Sequence, residues 1–232
     1  MAGPQSLGYD HPVNVGSAAS RRPDFEGSNV RSAAPTEKGA RQIETILAAT
    51  LRTIATHGYA ATSLARIAAE AGTTKRMVLY YFESRDQLFT ELVHRITAQM
   101  VEQSKAGFDA ESDPSDGVRR SARLLWDRVV GDPVLVHAYF AVLGEAGANT
   151  ALRNLLDHVR AAHLEVVQLH LERARALGIV PPVDPDVLST LMFAGFRGLL
   201  LEFYERGPSP ALDGALAIFE ASLSAAFQAR PA

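Results

Sequence analysis

Lys75, Arg76 and Met77 follow a hydroxyl residue, Thr74, at the start of a short run with helical spacing. Lysine and arginine donate to guanine O6 and N7, and methionine can touch a thymine methyl, so this trio carries the chemistry of reading base edges. For Arg76 a base contact and a phosphate contact are both within reach. Thr74 can cap its helix through the side-chain oxygen and also reach a phosphate. Upstream, Thr62 is placed to cap a first short helix whose Leu64, Ile67, Ala68 and Ala71 share one face, and Gly72 stops it. In the second helix Val78 and Phe82 point inward, leaving the basic residues outward. Thr62 and Arg85 are expected to flank the groove and hold phosphates; for Arg85 a surface pair with Asp86 is the alternative. Helix, tight turn, helix is the arrangement that sets a second helix into a major groove. Ser84 with Gln87 fits a reciprocal capping box opening the next helix.

The same residues resemble a family. The run from Ala68 to Phe89, with GYAATS before it, is similar to the N-terminal domain of TetR-type transcriptional regulators. The matching positions are Thr62-Ser63, Ile67-Ala68, Ala71-Gly72, Thr74, Tyr81-Phe82 and Arg85. Leu79 stands where the family usually has a tyrosine, and Arg76 where a small residue is common. The resemblance covers about residues 38–96. It implies that Thr62 and Ser63 lie at the DNA surface, and that the polar ends of Tyr80 and Tyr81 meet phosphates.

Composition bounds the rest. The 232 residues suffice for a sizeable core in one or two domains. There is no cysteine, hence no disulfide framework and no thiolate site. The first residues lack a basic segment and an apolar segment, so no signal peptide is expected and the cytoplasm is the expected location. Net charge is −3, but residues 37–100 hold eight Lys and Arg against six Asp and Glu, while residues 101–232 hold 12 against 17. The acidity therefore sits away from Lys75 and Arg76. So small a basic excess calls for a dimer to double the phosphate contacts.

The pattern is all-α, about nine helices with no strand and no repeat. Residues 1–36 are rich in Gly, Pro, Ser and Ala and read as a disordered arm; Arg21, Arg22 and Arg31 could brush a minor groove, or the arm is simply solvated. Residues 37–83 form the three-helix DNA-binding unit, its first helix ending at Gly58 and lying across the next two. Residues 84–106 form a connecting helix, and 107–232 a larger helical bundle for effector binding and dimerisation. Asp132-Pro133 and Asp184-Pro185 are helix starts. Gly178 and Pro181-Pro182 end the longest pattern, which opens near Thr150.

The stretch from Val187 to Tyr204 is apolar nearly all round and approaches a membrane span in length. Arg197 at its centre would be costly in lipid, so no membrane is expected. Ala194, Gly195 and Gly198 leave one face thin enough for another helix. The TetR resemblance implies that the last two helices, about 184–228, pair with a second copy in a four-helix bundle. Leu216, Phe219, Leu223 and Phe227 offer the last helix's apolar surface for it; a helix buried within the chain is the alternative. The resemblance also implies an effector pocket in the bundle, for which Trp126, His137, Tyr139, Phe140, His163, Met192, Phe193, Phe196 and Arg197 are candidates, many of them equally suited to plain core. His163 and His170 stand two turns apart, too far to share a metal, so no metal and no cofactor is expected.

These readings converge on a dimeric, ligand-responsive repressor on double-stranded operator DNA, released by a small apolar or amphipathic effector. A helical adaptor with a degenerate helix-turn-helix stays open, given Leu79 and the weak basic excess. An α-helical enzyme is disfavoured because G-x-S-x-G, Walker, G-x-G-x-x-G and H-E-x-x-H patterns are absent.

Overall fold

The computed structural model describes residues 36–109, 113–180 and 184–227. The N-terminal arm with Arg21, Arg22 and Arg31, the Pro181-Pro182 stop and Gln228 lie outside them. The described residues form nine α-helices and one 3-10 turn, with no strand: α1 (Glu37–His57), α2 (Leu64–Glu70), α3 (Lys75–Tyr81), α4 (Arg85–Asp109), α5 (Pro114–Val130), α6 (Pro133–Glu145), the turn Ala146–Ala148, α7 (Thr150–Ala176), α8 (Pro185–Arg206) and α9 (Pro210–Ala225).

Local chemistry sets these boundaries. α5, α6, α8 and α9 each begin with a capping Asp or Ser followed by proline: Asp113, Asp132, Asp184 and Ser209. The side chain accepts a first-turn N–H, and proline lacks the donor that would go unpaired there. Gly72 takes φ +61° after α2, with Thr73 N–H donating to Ala68 O and Gly72 N–H to Ala69 O. That paired closure leaves only four residues between α2 and α3.

Three apolar clusters hold the helices together. The first joins Ile46, Leu47 and Ile54 of α1 to Ile67, Val78, Phe82, Leu88 and Phe89, and it also takes in Ala138 of α6, Ala146 and Leu152 of α7. The helix-turn-helix unit is therefore packed onto the larger bundle. α1 shares this cluster with α2 and α3, and lies against α6 as well, an additional partner that its sequence did not announce. The second cluster joins Val118, Val167, Leu171, Leu188 and Phe227; the third centres on Trp126, Val136, Leu200 and Leu216. α4 reaches from the first cluster to α5 and α7.

A polar tie reinforces the junction. Gly58 takes φ +76° at the end of α1, and the N–H groups of Tyr59 and Ala60 both donate to the Glu145 carboxylate, each at 3.0 Å. Glu145 closes α6, 85 residues further along, so this contact joins the two halves of the chain. Charge-assisted bonds to backbone N–H are worth about 1.5–3 kcal/mol each, and removing the acceptor strands two donors. Glu145→Ala is expected to lower the melting temperature by roughly 4–10 °C for a chain of this size. An unchanged melt would take Glu145 out of the junction.

Candidate nucleic-acid interface and cavity

α3 carries Lys75, Arg76 and Met77 outward. Thr74 accepts the Met77 N–H at 3.2 Å, while Val78 and Phe82 are fully buried beneath. Lys75, Arg76, Met77, Leu79 and Tyr80 are exposed, Tyr80 to 58%. Neither Lys75 nor Arg76 pairs with an acid among the described residues. Tyr81 is half-buried, its ring edge-on to Tyr80 at 5.0 Å. The result is a short helix anchored on one face and bare and cationic on the other.

Two expected residues sit differently. Ser63, not Thr62, caps α2, accepting the Arg66 N–H at 3.2 Å. Thr62 is 1% exposed and its hydroxyl donates to Gly58 O at 2.7 Å, so it supports the turn and cannot reach a phosphate. Arg85 also turns inward. Its guanidinium donates to Tyr59 O and lies over the rings of Tyr59, at 4.2 Å, and Phe89, at 5.0 Å. The Tyr59 carbonyl, which also accepts the Thr62 N–H at 3.1 Å, and two aromatic faces hold it there. Among the described residues its partners are thus Tyr59 and Phe89, not Asp86. The Ser84 cap accepts the Gln87 N–H at 3.1 Å, but Gln87 answers to the N–H of Glu83 rather than that of Ser84.

Arg66 is exposed beside this face, its guanidinium donating to Ala61 O at 3.1 Å. Its place three residues after the true cap is the signal that would have found it. Glu145 left no comparable trace, since its partners lie far away in sequence.

Behind the junction lies a cavity of about 130 Å³, walled by α1, α4, α5, α6, α7 and α8. Its lining is apolar apart from Thr97, Tyr139, His163 and Arg197, and holds no Asp or Glu. Phe193 and Phe196 line it too. The other candidates lie elsewhere. Trp126 is buried in the third cluster against Phe196 and Phe203. Met192 belongs to the second cluster. His137 is exposed, its Nδ1 2.6 Å from Pro133 O, and Phe140 stacks on Tyr204 at 4.6 Å.

The cavity's polar groups cluster around Phe193. Arg197 donates from Nε to the Tyr139 hydroxyl at 3.0 Å and lies 5.1 Å from the Phe193 ring centre. Arg160 lies 5.5 Å from the same ring, and the His163 ring 5.3 Å. His163 Nε2 is buried with no hydrogen-bond partner. No group of three or more metal-ligating side chains occurs among the described residues.

Burial pushes His163 down to about 4, with help from Arg160, and His170 likewise, with help from His163. Each is thus neutral in the fold near pH 7. Between about pH 4 and the ordinary 6.5 the unfolded chain binds more protons than the folded one. Stability is accordingly full above 6.5 and is lost as pH falls through this window, by up to about 3 kcal/mol per histidine. Melting temperatures measured from pH 7 to 4.5 should fall, and the slope should flatten when both are replaced by leucine.

α8 is the one described helix long and apolar enough to cross a membrane. Only Leu188, Ser189, Met192 and Leu200 of its 22 residues are buried. Val187, Leu191, Ala194, Gly198 and Leu201 make an exposed stripe at helical spacing. On α9 the expected face is turned the other way. Leu216, Leu223 and Phe227 are core, and Phe219 fills the space at Gly195 of α8, where a Cβ would lie 2.4 Å from its ring. The outward side carries Ala211, Ala215, Ile218 and Ala225 instead.

The described residues thus place a helix-turn-helix with a bare cationic second helix on a cavity-bearing helical bundle. Residues 46–92 match the family model described as bacterial regulatory proteins, tetR family. Over 97 residues the chain is 28% identical to the HTH-type transcriptional repressor NicS of Pseudomonas putida, a match covering 41% of this chain and only 45% of that relative. Among solved structures, a TetR family transcription regulator from Marinobacter aquaeolei superposes with a TM-score of 0.61 at 20% identity, over 79% of this chain and 95% of the other. The transcriptional regulator FadR from Bacillus subtilis, solved in complex with stearoyl-CoA, gives 0.68 at 16% identity, over 79% and 98%. The TetR-type sequence match is thus confined to the helix-turn-helix region, and the fold of the described residues is one that TetR-family structures share.

Proposed function

We propose that this regulator is a cytoplasmic homodimeric repressor that binds a palindromic operator through Ser63, Thr74, Lys75, Arg76, Met77, Tyr80 and Tyr81, and leaves it when a small apolar or amphipathic effector enters the cavity. The observation that carries the reading is the exposed, unpaired cationic start of α3 above the buried Val78 and Phe82. Residues 37–83 serve as the reading unit, α4 as the connector and the remainder as effector and dimer domain. The exposed stripes of α8 and α9 are lined by small residues at their centres, which suits close packing against their own two-fold mates. Two copies would then set two α3 helices into successive major grooves about 34–36 Å apart.

Phe89 lines the cavity and also packs on Tyr59, at 4.7 Å, inside the turn tied by Glu145 and Arg85. An effector that displaces Phe89 acts on the turn preceding α2. It changes DNA affinity by the difference in its own affinity for the two arrangements. The relative's name as a repressor and the stearoyl-CoA bound to FadR support the sign and the ligand dependence. Selection of bound duplexes from a random pool tests the DNA reading: enrichment of a palindrome supports it, and no enrichment would favour the adaptor.

A further inference from the structure

We infer that the cavity takes a small carboxylic acid as its anion, with an apolar body of about one ring packed among the aliphatic walls and the carboxylate held by Arg197 and His163 Nε2. The inference rests on the effector reading of this cavity and adds the class of ligand.

Three observations carry it. Arg197 lines the cavity with only the Tyr139 hydroxyl on Nε and the Phe193 ring as partners; no carboxylate among the described residues meets its two terminal nitrogens. A half-buried guanidinium facing an apolar cavity without a counterion carries a desolvation cost, and a planar carboxylate is the shape that answers it, two oxygens to two N–H groups. The second observation is the unsatisfied, buried Nε2 of His163, which flanks the same Phe193 ring and can donate to the anion in its Nε2–H tautomer. Arg160, exposed and hydrogen-bonded to Thr190, lies 5.5 Å from the same ring and adds a second, solvent-screened positive charge nearby. The lining contains no acidic residue, so a cationic ligand would meet repulsion, and a neutral one would leave Arg197 uncompensated.

The third is size. A cavity of about 130 Å³ approaches the roughly 150 Å³ apolar cavity known to accept benzene. A long acyl chain overfills it, whereas a benzoate-sized or six-carbon acid does not.

The test uses the full chain without DNA, so failure of operator binding leaves its outcome untouched. Benzoate, phenylacetate and hexanoate are titrated beside benzamide, phenylacetamide and hexanamide, read by calorimetry and by the fluorescence of the single tryptophan, Trp126, which packs on Phe196 of the cavity wall. At least one acid should bind roughly tenfold or more tighter than its amide, the loss expected when one charge-assisted bond goes. Arg197→Gln should erase that preference and Arg197→Lys restore part of it. Equal binding of acid and amide, or binding of none of the acids, would overturn the inference. So would uptake of stearoyl-CoA with affinity unaltered by Arg197→Gln. The wild-type preference is decisive by itself if the Gln variant does not fold. An acid that binds but leaves operator affinity unchanged supports the ligand class and removes the effector role.

Discussion

Replacing Lys75 and Arg76 together by alanine should reduce operator affinity on the order of a thousandfold while leaving the melting temperature unchanged. Both side chains are exposed and neither has an ion-pair partner among the described residues, so the fold loses nothing with them. In a dimer the change removes four cationic contacts. A good bidentate base contact is worth about 1–3 kcal/mol, and phosphate contacts add to this at low salt. A salt titration separates the roles. For a phosphate contact, log affinity against log salt becomes shallower by about 0.9 for each contact removed. For a base contact the slope persists, and selection relaxes at one position of each half-site. Arg76→Ala alone therefore decides between the two. Full affinity in the double variant would show that α3 is not the reading helix.

Charging the outward face of the last two helices should have a comparable effect from the opposite end of the molecule. Leu191 is 57% exposed on α8 and Ile218 71% exposed on α9, both apolar and both on stripes of small residues. Leu191→Arg with Ile218→Arg would place four guanidiniums against one another in a two-fold bundle, where their desolvation has no compensation. Sedimentation should report the 25.0 kDa monomer. Operator affinity should drop on the order of a hundredfold or more, because each half-site is then bound alone and the gain from linked binding is lost. Unlike Leu216 or Leu223, these side chains fill no space within the chain, so the monomer should stay folded. A variant that remains dimeric would move the interface elsewhere.

Much of the architecture was legible in local chemistry. Gly58, Gly72 and Gly178 sit where positive φ is required, and the Asp-Pro pairs mark starts that the structure honours within a residue or so. The outward and inward sides of α3 followed from spacing. What was not legible depended on distant partners. The inward turn of Arg85 needs the Tyr59 carbonyl, 26 residues earlier. Thr62 and Ser63 are both competent caps, and only the burial of one decides between them. On α9 the larger residues, expected at the shared surface, fill this chain's own core and leave Ile218 among alanines facing out. Periodicity identifies an apolar face but not what covers it. Aromatic type likewise failed to separate Phe196, on the cavity wall, from Trp126 one layer behind it.

Exchanging reading heads between relatives is a natural way to redirect such regulators, and the Glu145 tie restricts where the seam can fall. A graft cut at residue 83 would import a foreign α1–α2 corner yet keep a carboxylate shaped for Tyr59 and Ala60, as well as an Arg85 shaped for the old corner's carbonyl. Chimeras of this protein therefore have to carry both matching side chains across with the donor segment. Otherwise the transplanted head sits on a hinge whose pins no longer fit its sockets.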